Sequence, residues 1–178
     1  MVNYKVLSKE ISYALRHVPE EYGLTLDLEG WVAVEKLLSA LQKNEKWKKL
    51  KISDIITMIQ LSDKKRHEIK DDMIRALYGH STKTKISKEV AEPPEFLYHG
   101  TAKKFMKSIN NIGLIPKDRQ YVHMSVNEYT AIDVGKRRDD EPVIIRIRAK
   151  EAYDDGILFY IGHDEIWLAD SIPVMYIN

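Results

Sequence analysis

The sequence predicts an α+β protein with two lobes, the first built mainly from helices and the second rich in strands. Apolar residues of the first half recur at helical spacing, as Leu7, Ile11 and Leu15 do. In the second half, short runs such as PVIIRIRA and ILFYIG are rich in β-branched and aromatic residues, which is typical of strands. Between the halves, segment 83–95 is polar and contains two adjacent prolines, and it predicts a linker.

The N-terminal lobe, residues 1–82, is predicted as helix, short strand, helix, helix and hairpin. The first helix ends near Arg16 and His17, and the Trp-Val pair of LTLDLEGWVAV favours a short strand. The second helix carries an apolar face in VEKLLSAL, and the third, KISDIITMIQL, has Ser53 as its expected N-cap. KKRHEI and MIRALY flank the turn KDD and predict a hairpin. Helices followed by a hairpin indicate a winged-helix-like lobe, an architecture often used to bind nucleic acid.

The C-terminal lobe, residues 96–178, begins with a buried strand in EFLYHGT. A helix follows with Phe105, Ile109 and Ile112 on one face, and Gly113 ends it. YVHMS predicts a strand, and NEYTAIDVG predicts a short helix capped by Asn127. PVIIRIRA, ILFYIG, EIWLA and IPVMYI complete a lobe with many strands and few helices.

The composition excludes several kinds of site. With no cysteine among 178 residues, the chain has no disulfide, thiolate nucleophile or cysteine-based metal site. The net charge is only +1 and no basic block stands out, which argues against generic duplex binding. The N-terminus MVNYKVLSKE lacks the apolar core of a signal peptide, and no run is long enough to span a membrane. We therefore expect a cytoplasmic protein without a membrane partner.

Familiar catalytic motifs are also missing from the sequence. The six histidines form no HExxH or similar spacing, so we expect no metal. There is no G-x-S-x-G elbow, Walker A loop or G-x-G-x-x-G fingerprint. What remains is a set of histidines and arginines in loops or at the ends of elements. Each is explained alone as helix-end or turn chemistry, but together these donors and cations favour binding phosphate.

The order of motifs along the chain resembles the NAD-dependent RNA 2′-phosphotransferase family. The resemblance is carried by LSKEISYALRH, GLTLDLEGW, DKKRHEI, IRALYGHS, FLYHGT, DRQYVHMS, DVGKRR and EIWLADSIPV. These motifs stand in the family's order from about residue 7 to residue 176. The resemblance implies an RNA-binding winged-helix-like lobe and an NAD-binding lobe like that of ADP-ribosyltransferases.

The resemblance also implies the site residues. The family's catalytic quartet falls on Arg16, His17, Arg66 and Arg119. The implied RNA- and phosphate-binding residues are Arg16, His17, Arg66, His80 and Ser81, and those for NAD⁺ are His99, Gly100, Thr101, His123 and Ser125. The chain departs from the family pattern at His67, at Leu77-Tyr78, at Gln120-Tyr121 and at Arg137-Arg138-Asp139.

The reaction implied by the resemblance removes an internal 2′-phosphate, such as that of a tRNA splice junction, and consumes NAD⁺ as a co-substrate. ADP-ribosylation of the 2′-phosphate releases nicotinamide, and a second step gives 2′-hydroxyl RNA and ADP-ribose 1″,2″-cyclic phosphate. We expect a monomer that needs no metal. The alternatives are an ADP-ribosyltransferase that stops after the first step on nucleic-acid phosphates, and a nucleic-acid-binding protein without catalysis.

Overall fold

The computed structural model describes residues 2–163 and 165–178, which divide into two compact units. Unit 1 ends at Ser87 and unit 2 begins at Lys88, inside the segment predicted as a linker. Helices occur in both units beside an antiparallel sheet of three strands in unit 1 and of five strands in unit 2. The predicted α+β class is confirmed. The winged-helix-like assignment and the lobe boundaries stay predictions.

Unit 1 contains three helices and a small sheet with strand order β1-β3-β2. The helices are α1 (Tyr4–Arg16), α2 (Val34–Leu41) and α3 (Ile52–Gln60), and the strands are β1 (Val32–Ala33), β2 (His67–Lys70) and β3 (Met73–Ala76). Their apolar faces form one core around Leu7, Ile11 and Leu15 of α1. The predicted order of elements in this half is confirmed.

Helix α1 begins and ends where its sequence requires. The Asn3 side chain accepts a hydrogen bond from the backbone N–H of Val6 at 3.1 Å and so caps the first turn. After Arg16, His17 has a non-helical backbone, and Pro19 cannot continue an α-helix. Arg16 is therefore the last helical residue, and His17 is the first to leave the helix.

Two details of the remaining unit 1 elements follow from local chemistry. The prediction of Ser53 as an N-cap is wrong, because α3 starts at Ile52 and the backbone N–H of Lys51 donates to Asp54 Oδ2 at 2.8 Å. In the β2–β3 hairpin, Asp71 and Asp72 have φ of 48° and 59°. Two positive φ angles are typical of the tight turns that match the twist of paired strands.

Unit 2 is built on an antiparallel sheet with strand order β6-β4-β5-β8-β7. Its strands are β4 (Phe96–Thr101), β5 (Val122–Ser125), β6 (Val143–Arg148), β7 (Phe159–His163) and β8 (Ile166–Ala169). Its helices are α4 (Met106–Ile112), α5 (Glu128–Gly135) and α6 (Ala149–Asp154). The sequence did not predict α6, and IPVMYI, grouped with the strands, forms the 3₁₀ turn Val174–Tyr176.

Strand β4 occupies the interior of the unit 2 sheet, between β5 and β6, and helix α5 packs against it. The core beneath includes Leu97, Ile145, Ile147 and Phe159, each at most 1% exposed. A rigid central strand fixes the positions of the polar residues at its C-terminal end. Within the described residues, no helix is long and apolar enough to cross a membrane.

Candidate active site

Arg16 is held against Arg66 inside unit 1. Its Nη2 donates to the carbonyl oxygen of Arg66 at 3.2 Å, and its Cζ lies 5.0 Å from the ring centre of Tyr78. Gly79, with φ of +86°, leaves the backbone close to the guanidinium, where an added Cβ would lie 3.4 Å from Arg16 Nη1. A hydrogen bond and an aromatic contact together limit the directions that this guanidinium takes.

The imidazole of His17 is positioned by Ser81. His17 Nδ1 and Ser81 Oγ are 2.8 Å apart, and the backbone N–H of Ser81 donates to the carbonyl of Arg16 at 2.8 Å. Ser81 therefore fixes both the end of α1 and the ring of the residue that follows it. The structure brings three predicted residues of unit 1 together at this point, namely Arg16, His17 and Ser81.

Arg66 directly precedes β2, and its backbone is better fixed than its side chain. Its carbonyl oxygen accepts from Leu77 N at 2.9 Å as well as from Arg16. Within the part of the chain that the structure describes, the Arg66 guanidinium makes one long hydrogen bond, from Nη1 to the carbonyl of Lys64 at 3.5 Å. Most of its five N–H groups are therefore available to an anion.

His67 is a buried neutral histidine beside these arginines. It is 3% exposed, and its Nε2 lies 2.9 Å from Ser12 Oγ, one helical turn before Arg16. Burial, followed by the charges of Arg16 and Arg66, lowers the pKa of His67 to about 3. The departure from the family pattern at this position therefore adds a bond between α1 and β2 without adding a third positive charge.

His80 and Ser81 differ in their exposure. The His80 ring is 3% exposed, and Ser81 is exposed. A Cβ added to Gly30 would lie 3.5 Å from His80 Nε2 and 3.4 Å from Ile86, so this ring is covered by neighbouring residues. Direct contact of His80 with RNA stays a prediction, whereas Ser81 lies at the surface next to His17.

In unit 2, His99 on β4 is held in one tautomer. Its Nδ1 donates to the backbone carbonyl of His123 on β5 at 2.8 Å. Burial lowers the pKa of His99, and the hydrogen bond to His123 opposes that shift. Because Nδ1 carries the proton, Nε2 has a lone pair and accepts hydrogen bonds.

Gly100 and Thr101, at the end of β4, pack closely within unit 2. A Cβ at Gly100 would come within 1.9 Å of the carbonyl oxygen of Ala131, so the contact of β4 with α5 requires glycine. Thr101 is only 8% exposed. The family resemblance implies a role for Gly100 in NAD⁺ binding alone, and the packing of α5 supplies a second reason for glycine at this position.

Ser125 uses its hydroxyl to build the turn from β5 into α5. Its Oγ lies 2.8 Å from the carbonyl of Asn127, to which it donates, and 3.4 Å from that of Tyr98. Asn127 in turn caps α5, because its Oδ1 accepts from the backbone N–H of Thr130 at 2.8 Å. The side chain of Ser125 is 3% exposed and supports the strand that carries His123.

Arg119 lies in the loop before β5 and belongs to unit 2. Partial withdrawal from water lowers the pKa of Arg119, Asp118 opposes this, and the positive charge of Arg138 adds to it. The loop that carries Arg138 is fixed by Asp139, which accepts from the backbone N–H groups of Lys103 at 3.0 Å and Glu141 at 3.1 Å. The departure from the family pattern in this loop thus places a second cation within electrostatic reach of Arg119.

Several residues that contact or influence the candidate site residues were not predicted from the sequence. Ser12 had no signal, because its partner His67 is 55 residues away along the chain. Tyr78 and Arg138 were noted only as departures, although one contacts Arg16 and the other influences Arg119. Among the described residues, no group of three or more histidines and carboxylates could hold a metal ion.

The chain is similar to known proteins over nearly its whole length. The sequence model of the family described as "RNA 2′-phosphotransferase, Tpt1 / KptA family" matches residues 3–171. A probable RNA 2′-phosphotransferase of Acetivibrio thermocellus is 56% identical over 178 residues, covering 100% of this chain and 98% of that protein. Proteins of the same name are 52% identical in Bacillus thuringiensis subsp. konkukian (98% of this chain, 94% of that protein) and 47% identical in Pectobacterium atrosepticum (97% and 96%).

Proposed function

The chain belongs to the RNA 2′-phosphotransferase, Tpt1 / KptA family and is therefore an enzyme, and from this premise we propose the reaction that its residues perform. It removes an internal 2′-phosphate from RNA, such as that of a tRNA splice junction, and consumes NAD⁺ as a co-substrate. The products are RNA with a 2′-hydroxyl, nicotinamide and ADP-ribose 1″,2″-cyclic phosphate. No residue described here is assigned to a metal.

In the first step, an oxygen of the RNA 2′-phosphate attacks the anomeric carbon of the nicotinamide ribose. A C–O bond forms as the C–N bond to nicotinamide breaks, so nicotinamide leaves with the bonding electron pair and becomes neutral. The enzyme needs no nucleophile of its own, because the substrate phosphate is already an anion, and alignment supplies most of the rate. The His99 Nε2 acceptor is suited to a ribose hydroxyl, and His123 holds it in that form.

Arg16 and Arg66 bind the 2′-phosphate. A phosphate monoester carries close to two negative charges at neutral pH, and guanidinium groups match its oxygens. Arg66 supplies most of the free N–H groups, and Arg16 lies beside it through the hydrogen bond to the Arg66 carbonyl. Ser81 and His17 occupy the same end of α1 and complete the polar group.

In the second step, the ribose 2″-hydroxyl attacks the phosphorus and forms the cyclic phosphate. The bond from phosphorus to the RNA 2′-oxygen breaks, and that oxygen takes a proton. We propose that His17 donates this proton. The 2″-hydroxyl loses a proton as it attacks, so the number of protons is conserved. Arg16, Arg66 and Arg119 counter the negative charge that develops on the phosphoryl oxygens.

The observation that best supports this proposal is the hydrogen bond from Arg16 Nη2 to the backbone carbonyl of Arg66 at 3.2 Å, which brings the two arginines together. His17 and Ser81 lie beside Arg16, and the family model matches residues 3–171 of the chain. The testing experiment incubates the protein with a short RNA bearing one internal 2′-phosphate, with and without NAD⁺, and resolves products by mass. We expect NAD⁺-dependent conversion to 2′-hydroxyl RNA together with the cyclic phosphate.

Two other outcomes would each contradict the proposal. Accumulation of ADP-ribosylated RNA without release of the 2′-hydroxyl would identify a transferase that stops after the first step. RNA binding without any NAD⁺-dependent product would identify a binding protein of the same fold. The proposal favours the complete reaction because the family's quartet is present at Arg16, His17, Arg66 and Arg119.

A further inference from the structure

Two ammonium groups of unit 2 meet at one aromatic ring. Lys117 Nζ lies 3.2 Å and Lys104 Nζ lies 5.2 Å from the ring centre of Phe105. Phe105 is half-buried and packs against the unit 2 core, so the ring is fixed while the lysines are exposed. Lys107 is exposed one turn further, at i+3 from Lys104. We call these four residues the Phe105 patch.

Among the described residues, none forms an ion pair with the lysines of the Phe105 patch. Within residues 2–163 and 165–178, no carboxylate oxygen lies within ion-pair distance of Lys104, Lys107 or Lys117. Neighbouring Lys103 differs, because its Nζ is 2.5 Å from Glu141. Three exposed cations in a small area repel one another, and an anion bound there would relieve that repulsion.

The nearby carboxylates do not reverse this charge. Asp139 is within electrostatic reach of Lys103 and Lys104, but its single negative charge offsets at most one of the three positive charges of the patch. Asp118 follows Lys117 in the chain, and its charge acts on Arg119. The Phe105 patch therefore retains a positive field, in contrast to Lys150, which contacts both Asp154 and Glu92.

We propose that the Phe105 patch binds backbone phosphates of the substrate RNA that flank the reacting nucleotide. Ammonium groups act as point charges and contact phosphates without reading the base, which suits a strand of any sequence. Lys117 is two residues before Arg119, so the patch adjoins a residue to which we assign a role in the second step. This inference rests on the proposed function, because it takes RNA as the substrate.

Salt dependence of RNA binding tests the number of phosphates contacted. Each phosphate contact on a single strand contributes about 0.7 to the slope of log affinity against log salt. For a long 2′-phosphorylated RNA oligonucleotide, the double variant Lys104→Gln/Lys117→Gln should make the slope shallower by about 1.4, because two such contacts are lost. A nucleoside 2′-phosphate should bind the wild type and the double variant equally, since it has no backbone phosphates.

The matched control is Lys150→Gln, which removes one lysine charge of the same unit where carboxylates already neutralise it. We expect its slope to equal that of the wild type. An unchanged slope in the double variant, or equal losses of affinity for the long RNA and the nucleoside 2′-phosphate, would overturn the inference. A change in slope of about 0.7 for Lys150→Gln, which is half of that expected for the double variant, would also overturn it, because the effect would then not be specific to the Phe105 patch.

The diphosphate of NAD⁺ offers the same chemistry, and turnover separates the two sources. With the nucleoside 2′-phosphate as substrate, the double variant should keep the wild-type KM for NAD⁺ and the wild-type kcat. A raised KM for NAD⁺ would assign the patch to the dinucleotide and overturn the RNA assignment. If the wild type releases no 2′-hydroxyl RNA, the proposed function fails, whereas the binding slopes still decide whether the patch contacts RNA.

Discussion

The Nε2 atom of His99 is prepared as a hydrogen-bond acceptor before a ligand binds. Nδ1–H donates a hydrogen bond to the carbonyl oxygen of His123 at 2.8 Å, and burial lowers the pKa of the ring, so the neutral form persists near pH 7. A fixed tautomer lowers the free-energy cost of binding, because the imidazole does not have to be ordered when the ligand arrives. The same logic applies in unit 1, where Ser81 holds His17.

His99→Ala should weaken NAD⁺ binding by roughly fivefold, which corresponds to about 1 kcal/mol for one lost hydrogen bond. His99→Gln should lose less, because its side-chain oxygen can accept in place of Nε2. Titration of the protein with NAD⁺ in the absence of RNA measures both values. Equal affinity in wild type and His99→Ala would remove His99 from the NAD⁺ site.

Ser81→Ala should slow the second step about fivefold by releasing the His17 ring, because one hydrogen bond contributes about 1 kcal/mol. Ser81→Thr keeps the hydroxyl and should restore most of the rate. A single-turnover time course that separates ADP-ribosylated RNA from 2′-hydroxyl RNA gives the rate of each step. A first step slowed as much as the second would show that Ser81 acts on binding rather than on His17.

Contacts between helices and strands determine which side chains lie close together. Helix α1 brings Ser12 and Arg16 to the same face, one turn apart. Ser12 bonds to His67, the first residue of β2, and Arg16 bonds to Arg66, the residue just before it. In unit 2, α5 packs so closely on β4 that its Ala131 carbonyl leaves no room for a side chain at Gly100. Both contacts join a helix to a strand and thereby fix the residues proposed to bind substrate.

Gly100→Ala should lower the free energy of unfolding by about 3 kcal/mol or more, because its Cβ would overlap the Ala131 carbonyl oxygen. Gly23→Ala is the control, since nothing lies within 4 Å of its added Cβ and only its φ of +65° is strained. The control should lose about 1 kcal/mol. Urea denaturation measures both, and equal losses would contradict the close packing of α5 on β4.

The stability of the protein should depend on pH through His67. In the unfolded chain this histidine takes a proton near its ordinary pKa of 6.5, whereas in the folded protein its pKa is about 3. Below pH 6.5 the unfolded state therefore binds more protons, and the free energy of unfolding falls as the pH falls. His67→Phe removes this contribution and leaves those of the other groups in place.

Relative to the wild type, His67→Phe should become more stable by about 2–3 kcal/mol on going from pH 7 to pH 4.5, at 1.4 kcal/mol per pH unit below 6.5. Urea denaturation at the two pH values measures this difference, in which groups common to both proteins cancel. A difference that stays constant with pH would mean that His67 titrates alike in the folded and unfolded states.

Across the whole chain, local sequence patterns predicted most helices and strands. Contacts between residues that are distant in the sequence could not be predicted in this way. The spacing of Leu7, Ile11 and Leu15 predicted α1, and the α+β class followed from such patterns. Helix α6 was missed because its six residues are too few to show a clear period. The resemblance supplied the candidate site residues, but the bond between Ser12 and His67 depends on how the chain folds and is invisible in local sequence.

The residues proposed for the two substrates lie mainly in different units. The residues proposed for NAD⁺ lie in unit 2, and most of those proposed for the phosphate lie in unit 1. Loss of the NAD⁺ residues should therefore reduce both steps, since nothing is ADP-ribosylated. Loss of a phosphate-binding arginine should chiefly affect the second step, where charge builds on the phosphoryl oxygens.

The most direct measurement follows 2′-phosphorylated RNA and NAD⁺ by mass spectrometry over time for the wild type and Arg66→Ala. We expect the wild type to yield 2′-hydroxyl RNA and the cyclic phosphate. Arg66→Ala should accumulate ADP-ribosylated RNA and release 2′-hydroxyl RNA at least about 100-fold more slowly, which corresponds to about 2.7 kcal/mol of lost charge stabilisation. Wild-type release by Arg66→Ala, with no accumulated intermediate, would contradict the assignment of Arg66 to the phosphate.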